Sequence, residues 1–230
     1  MQTGDISIQI NGKPSPAYLA APEQGGSPGS GPGVLVLHAW WGLNPFFKSF
    51  CDRLAGQGFV ALASDLYGGK VATSIPEAQL LMAQTDFEQA QTAVIGSLFY
   101  LGGLPAVTGK GLATVGFSMG ASWALWLSTF APQDVAAVAA FYGTDELDPH
   151  LAQAAYQGHY AASDNYEPLD GARRLEAGIK EAGLKANFYI YPQAGHWFME
   201  EDRPDAYNPA AAKLAWRRLV KFLKGSLLQV

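Results

Sequence analysis

Residues 112–123 read LATVGFSMGASW, and this stretch decides the fold. Its first half is apolar, as in a buried strand, and its second half favours a helix. Between them stands the pattern G-x-S-x-G, in which glycines 116 and 120 flank Ser118. A nucleophile on such a strand-to-helix turn requires small residues two places away on each side, because the backbone bends too tightly for larger ones. We predict Ser118 as a nucleophile; the alternative is a glycine-bounded turn with an incidental serine.

Strand and helix patterns alternate on both sides of this turn. The continuous apolar run Val34–Leu37 is typical of a parallel strand that is buried on both faces. Further strands are predicted at 59–64, 111–116, 135–142, 156–161 and 186–191, and helices at 46–57, 75–101, after 119, 171–183 and 209–223. This alternation predicts an α/β fold with a mainly parallel sheet and helices on both faces.

The N-terminal part departs from that alternation. Asn11-Gly12 separates two strand-like segments, 5–10 and 16–21, and predicts a short antiparallel hairpin. Residues 24–33, QGGSPGSGPG, are rich in Gly, Ser and Pro and predict a flexible surface loop. We expect residues 1–230 to form a single domain.

The composition excludes several classes of function. The net charge is −5 and no run of Lys and Arg is present, so nucleic acid is not an expected partner. The N-terminus lacks the pattern of a signal peptide, and no apolar segment is long enough for a membrane span; we therefore expect a cytoplasmic protein. The only cysteine, Cys51, excludes an intrachain disulfide and a thiolate-rich metal site. We expect a small-molecule substrate and no metal or organic cofactor, and leave the oligomeric state open.

A serine nucleophile needs a base, and His196 is the best candidate. It lies in YPQAGHWF, residues 191–198, after the last predicted strand and before the last helix. The carboxyl ends of parallel strands form one edge of the sheet, which places Ser118 and His196 at the same crevice. The other histidines, His38, His150 and His159, are better explained as structural.

The third member of a triad is a carboxylate that orients the base. In α/β-hydrolases the acid lies between the serine and the histidine in chain order. The candidates are Asp145, Glu146, Asp148, Asp164 and Glu167. We favour Asp164, because it follows the strand that precedes the histidine-bearing strand. Asp145, which follows the strand before that, remains the alternative.

From about residue 34 to 222 the chain resembles the dienelactone hydrolase family. The resemblance rests on VLHAWWGLN (36–44), DLYGG (65–69), GFSMG (116–120), GHYAASDNYEP (158–168), YPQAGHWF (191–198) and YNPAA (207–211). It implies an α/β-hydrolase fold and hydrolysis of an ester or lactone, with Asp164 as acid and His196 as base. It also implies that the backbone N–H groups of Trp40 and Met119 form the oxyanion hole.

Departures from the family pattern indicate the branch. Dienelactone-cleaving members have a cysteine nucleophile, a glutamate at the position of Ala39 and a substrate-binding arginine at the position of Glu200; a second family arginine has no clear counterpart here. The site therefore resembles a serine carboxylesterase more than a thiol-dependent carboxymethylenebutenolidase. We expect a preference for neutral substrates, with Glu200 as a repulsive carboxylate near the mouth of the pocket.

Aromatic residues near these motifs are candidates for the pocket wall. Trp41, Tyr142 and Trp197, together with Trp40, can line a pocket for an apolar or aromatic substrate, although core packing explains aromatics beside a sheet equally well. Two other functions remain possible for the same residues. One is a non-catalytic ligand-binding protein of this fold, and the other is a thioesterase or peptidase with the same triad.

Overall fold

The computed structural model describes residues 3–24 and 27–228. The chain divides into two compact units, Met1–Leu112 and Ala113–Val230. No helix in the described part of the chain is both long and apolar enough to cross a bilayer.

The first unit begins with the predicted hairpin. Its elements are β1 (Gly4–Ile10), β2 (Lys13–Ala20), β3 (Glu23–Gln24), β4 (Ser27–Pro28), β5 (Gly31–Leu37), α1 (Pro45–Ala55), β6 (Val60–Ser64), α2 (Ile75–Gln84) and α3 (Phe87–Gly102). Strands β1 and β2 pair antiparallel across Asn11-Gly12. Strand β2 pairs antiparallel with β6, and β6 pairs parallel with β5. Every residue of β5 and β6 is buried, which agrees with the apolar runs at residues 34–37 and 60–63.

Two sequence predictions in this unit need correction. The helical stretch 75–101 consists of two helices, because Asp86 begins a new one: its Oδ1 accepts hydrogen bonds from the Glu88 and Gln89 N–H groups. The loop predicted over 24–33 is also shorter, since β5 starts at Gly31, while Gly25 and Gly26 lie outside the described residues. A Cβ on Gly31 would lie 2.0 Å from the Gly58 carbonyl oxygen, so this glycine permits close packing rather than flexibility.

Cys51 lies on the buried face of α1, with Phe47, Phe50 and Leu54. Its side chain exposes no surface, and burial raises the pKa of its thiol. A neutral, buried thiol packs as a small apolar group. Cys51 is therefore part of the core of the first unit.

Strand β7 (Val107–Phe117) leads into the second unit. The elements that follow are α4 (Met119–Phe130), β8 (Val135–Phe141), a single 3-10 turn (Pro149–Leu151), β9 (Ala155–Ala161), α5 (Leu169–Glu181), β10 (Ala186–Tyr191) and α6 (Pro209–Leu227). The strand order in this unit is β7-β8-β9-β10, and β8, β9 and β10 pair parallel. The predicted α/β class, the mainly parallel sheet and the N-terminal hairpin are confirmed. The three loops after β7, β9 and β10 all leave from carboxyl ends of strands, where an open α/β sheet forms its crevice.

Candidate active site

Ser118 occupies the turn between β7 and α4 in a strained conformation. Its φ and ψ are 50° and −119°, a region that non-glycine residues rarely adopt and that costs about 1–3 kcal/mol. The Ser118 N–H donates to the Phe141 carbonyl oxygen at 2.9 Å, which ties the turn to the end of β8. The surrounding structure therefore holds the serine in a conformation that the residue would not adopt alone.

Two glycines leave room for this turn. A Cβ on Gly116 would lie 2.1 Å from the Gly120 carbonyl oxygen, so the strand and the first turn of α4 approach too closely for any side chain. A Cβ on Gly143 would lie 2.4 Å from the Ser118 carbonyl oxygen. Gly116 belongs to the predicted motif, whereas Gly143 was missed, since its only sequence signal is a glycine just after a strand.

His196 is in the loop between β10 and α6, and its Nε2 lies 2.9 Å from the Ser118 Oγ. Backbone hydrogen bonds join this loop to the one after β9: Ala162 N–H donates to the Tyr191 carbonyl oxygen and Ser163 N–H donates to that of Ala194. The pairing of β9 with β10 is thus extended into the loops. This extension holds the histidine loop beside the loop that carries the predicted acid.

Asp164 completes a chain of three side chains. Its Oδ2 lies 2.7 Å from the His196 Nδ1, and its Oδ1 accepts hydrogen bonds from the Tyr166 and Glu167 N–H groups at 2.8 and 2.9 Å. The side chains of His196 and Asp164 are only 5% and 2% exposed. An ionised carboxylate can only accept hydrogen bonds, so Nδ1 carries the proton and Nε2 is left to accept the serine proton.

The competing candidates are placed elsewhere. Asp145 accepts a hydrogen bond from the next N–H in the chain, and Asp148 accepts one from the His150 N–H. His159 is buried and its ring nitrogens bond the Tyr191 hydroxyl and the Gln157 amide oxygen. In the first unit, the His38 Nε2 accepts from the Leu66 N–H. The partners of His38 and His159 agree with their structural interpretation, and the two aspartates each accept a backbone hydrogen bond within their own turn.

Three aromatic rings pack around His196. Their centroids lie 5.0 Å (Tyr142), 5.1 Å (Tyr166) and 4.8 Å (Trp197) from the centroid of the imidazole. Ser118, Tyr142 and Trp197 all have positive φ angles, and such strained residues cluster at functional sites. Sequence reasoning did not single out Tyr166, because an aromatic residue in a short polar turn carries no pattern of its own.

Glu200 differs from its predicted place. It exposes no surface, and its Oε1 accepts a hydrogen bond from the Tyr142 hydroxyl at 2.8 Å. Neither Glu200 nor Tyr142 can touch a substrate in this conformation, so the expected repulsive carboxylate at the mouth is wrong. Tyr142 directly follows β8, and Glu200 lies in the long loop between β10 and α6, so sequence spacing alone does not indicate their contact.

Burial raises the pKa of Glu200 to about 8 from its ordinary 4.5; Tyr142 and Arg203 oppose the rise and Asp202 adds to it. At pH values between these two pKa values, Glu200 is protonated in the folded protein and ionised in the unfolded chain. The contribution of Glu200 to the free energy of unfolding should therefore fall as pH rises, by about 1 kcal/mol per pH unit. Glu200→Gln removes this contribution. Urea unfolding at pH 5, 6, 7 and 8 should show the wild type losing stability relative to Glu200→Gln, and a constant difference would contradict the assignment.

The remaining predicted site residues are divided between the units. Met119 begins α4 directly after Ser118 in the second unit. Trp40 and Trp41 follow β5 in the first unit, where Trp41 is 2% exposed and Ala39 is completely buried. Trp41 and Tyr142 therefore fit the alternative of core packing, and Trp197 is 8% exposed. Within residues 3–24 and 27–228, His, Cys, Asp and Glu side chains form no cluster of three or more that could hold a metal ion.

Comparisons with known proteins agree with this architecture. The chain is 29% identical over 229 residues to "Putative carboxymethylenebutenolidase" of Aquifex aeolicus, covering 95% of this chain and 96% of that protein. "Protein usf" of Aquifex pyrophilus is 29% identical over 230 residues, with the same two coverages. Among solved structures, a putative dienelactone hydrolase from Klebsiella pneumoniae has a TM-score of 0.83 at 24% identity, covering 96% of this chain and 97% of that one. At this identity the likeness establishes the α/β-hydrolase fold alone.

The sequence profile described as "Dienelactone hydrolase family" matches residues 16–227. This range covers most of each unit and includes the serine turn and the loops that carry Asp164 and His196. The predicted resemblance is thereby confirmed, and the chain belongs to the dienelactone hydrolase family.

Proposed function

We propose that this protein is a serine hydrolase that cleaves a carboxylic ester or a lactone by two-step acyl transfer. The observation that carries the proposal is the continuous hydrogen-bond chain from the Ser118 Oγ through both ring nitrogens of His196 to the Asp164 Oδ2, with distances of 2.9 and 2.7 Å. A serine hydroxyl is a weak nucleophile until a base in hydrogen-bond reach removes its proton. An oriented histidine is the group that does so near neutral pH.

In the first step the Ser118 Oγ attacks the carbonyl carbon while the His196 Nε2 takes the hydroxyl proton. The imidazolium then gives this proton to the leaving oxygen as its bond to carbon breaks, and an acyl-serine remains. In the second step His196 removes a proton from water, and the water oxygen attacks the acyl carbon. The bond between this carbon and the Ser118 Oγ then breaks, His196 returns the proton to the Oγ, and the carboxylic acid leaves. Asp164 stabilises the imidazolium throughout, and its own position is fixed by the two N–H groups on Oδ1.

Negative charge develops on the carbonyl oxygen in both steps. We assign its stabilisation to the backbone N–H groups of Met119 and Trp40. Met119 is the residue after the nucleophile and the first of α4, so the positive end of the helix dipole favours an anion there. The assignment of the Trp40 N–H as the second donor is based on the resemblance to the family. All of these steps use groups of the chain and water.

The choice of a neutral substrate rests on the sequence. Ser118 and Ala39 replace the cysteine and the glutamate of the thiol-dependent branch, and the position of a substrate-binding arginine is taken by Glu200. Since Glu200 is buried, the argument is the missing cation rather than repulsion. An anionic dienelactone would lack its usual counter-charge.

The test combines turnover with covalent labelling. Purified protein is assayed with p-nitrophenyl esters of increasing acyl length, small lactones, dienelactone and a thioester. We expect hydrolysis of neutral esters or lactones, and covalent addition of a serine-directed phosphonate at Ser118, located by peptide mass spectrometry. Absence of both turnover and labelling would favour the non-catalytic alternative, and a clear preference for the thioester would revise the substrate class.

A further inference from the structure

The three rings around His196 differ in their access to solvent. Tyr142 is completely buried and Trp197 is 8% exposed, whereas Tyr166 is 48% exposed. The Tyr166 ring also lies 4.8 Å from that of Trp197. Of the three residues, Tyr166 is therefore the one with the most surface accessible from solvent.

The position of His196 determines which part of a substrate comes near this surface. In the proposed mechanism its Nε2 delivers a proton to the leaving oxygen, so the leaving group must pass beside the imidazole. We propose, as an extension of the function proposed above, that Tyr166 forms a leaving-group subsite that selects esters of phenols and other flat aromatic alcohols. An aromatic leaving group would pack against the exposed ring of Tyr166, and a small aliphatic one would reach little of it.

The turn that carries Tyr166 is fixed to the triad through its backbone. The Tyr166 N–H donates to the Asp164 Oδ1 at 2.8 Å, and the Glu167 N–H donates to the same oxygen. Substitution of the Tyr166 side chain leaves both donors in place. The contribution of the ring can therefore be separated from the support that the backbone gives to Asp164.

The experiment compares phenyl acetate with ethyl acetate, which share the acyl group and differ only in the leaving group. Tyr166→Ala should lower kcat/KM for phenyl acetate by about three- to tenfold, the range that one aromatic pair contributes, with little change for ethyl acetate. Tyr166→Phe keeps the ring and should retain the wild-type ratio. Both esters form the same acetyl-enzyme, so hydrolysis of that intermediate should be equal for the two substrates in every variant.

Phe130→Ala provides a matched control. Phe130 is 49% exposed in the same unit, and its ring stacks on Trp126 at 4.7 Å on α4. Loss of this ring should leave the ratio of the two kcat/KM values unchanged.

Three outcomes would overturn the proposal. Equal losses for both substrates in Tyr166→Ala would mean that the ring only supports the triad, and no loss for either would mean that the leaving group does not contact it. In both cases wild-type turnover and Ser118 labelling would remain, and the proposed hydrolase would stand. Absence of wild-type turnover together with absence of labelling would overturn the hydrolase and the subsite alike.

Discussion

Ser118→Ala is expected to lower kcat for ester hydrolysis by about 10⁶-fold, the loss typical of removing the nucleophile of a triad. In the proposed mechanism the Oγ forms the bond to the acyl carbon, and no other hydroxyl is hydrogen-bonded to the His196 Nε2 in the described part of the chain. The Tm should change little, because the hydroxyl contributes a single hydrogen bond. Initial rates with a p-nitrophenyl ester and a thermal melt of both proteins measure the two quantities.

Ser122→Ala is the matched control for this substitution. Ser122 lies on α4, four residues after Ser118, and its Oγ donates to the Thr144 carbonyl oxygen at 3.1 Å rather than to His196. Its loss should leave kcat close to the wild-type value. Full activity in Ser118→Ala would discard the proposed function.

Asp164→Asn should lower kcat by about 10⁴-fold while Ser118 and His196 stay in place. The amide nitrogen of asparagine can face the His196 Nδ1 as a donor, which favours the tautomer with the proton on Nε2. In that tautomer the imidazole cannot accept the Ser118 proton, and the imidazolium also loses its counter-charge. Steady-state kinetics near neutral pH measure the loss.

Asp145→Asn tests the alternative that Asp145, rather than Asp164, is the acid of the triad. Asp145 is exposed, and among the described contacts it accepts a hydrogen bond only from the neighbouring Glu146 N–H. The decrease in kcat caused by Asp145→Asn should therefore be small. A large loss in Asp145→Asn with a mild one in Asp164→Asn would show that the acid was assigned to the wrong strand end.

The three hydrogen-bonded residues Ser118, His196 and Asp164 could be predicted because each one has a characteristic position in the order of strands and helices along the chain. Ser118 follows from the motif between β7 and α4, and Asp164 and His196 follow from their places after two successive strands. In a parallel sheet the ends of such strands meet at one edge, so order along the chain becomes proximity in space. The structure adds the distances and the two N–H groups on the Asp164 Oδ1.

Other features depend on contacts that order along the chain does not encode. Glu200 is buried and its Oε1 accepts a hydrogen bond from the Tyr142 hydroxyl, whereas its charge led us to expect it at the mouth of the pocket. Gly31 looked like part of a flexible loop, yet it packs against the Gly58 carbonyl oxygen. In both cases the residue has a neighbour that is distant in sequence, and its environment therefore differs from the one that its residue type predicts.

Because Cys51 is buried, the native protein should not react with thiol-directed dyes. Because the chain has no second cysteine, a cysteine introduced at the exposed position Ser163 would be the single accessible thiol. A fluorophore attached there would lie next to Asp164 in sequence, on the loop that carries the acid. Its emission could follow substrate entry and acyl-enzyme formation in real time, without a prior step to remove native thiols.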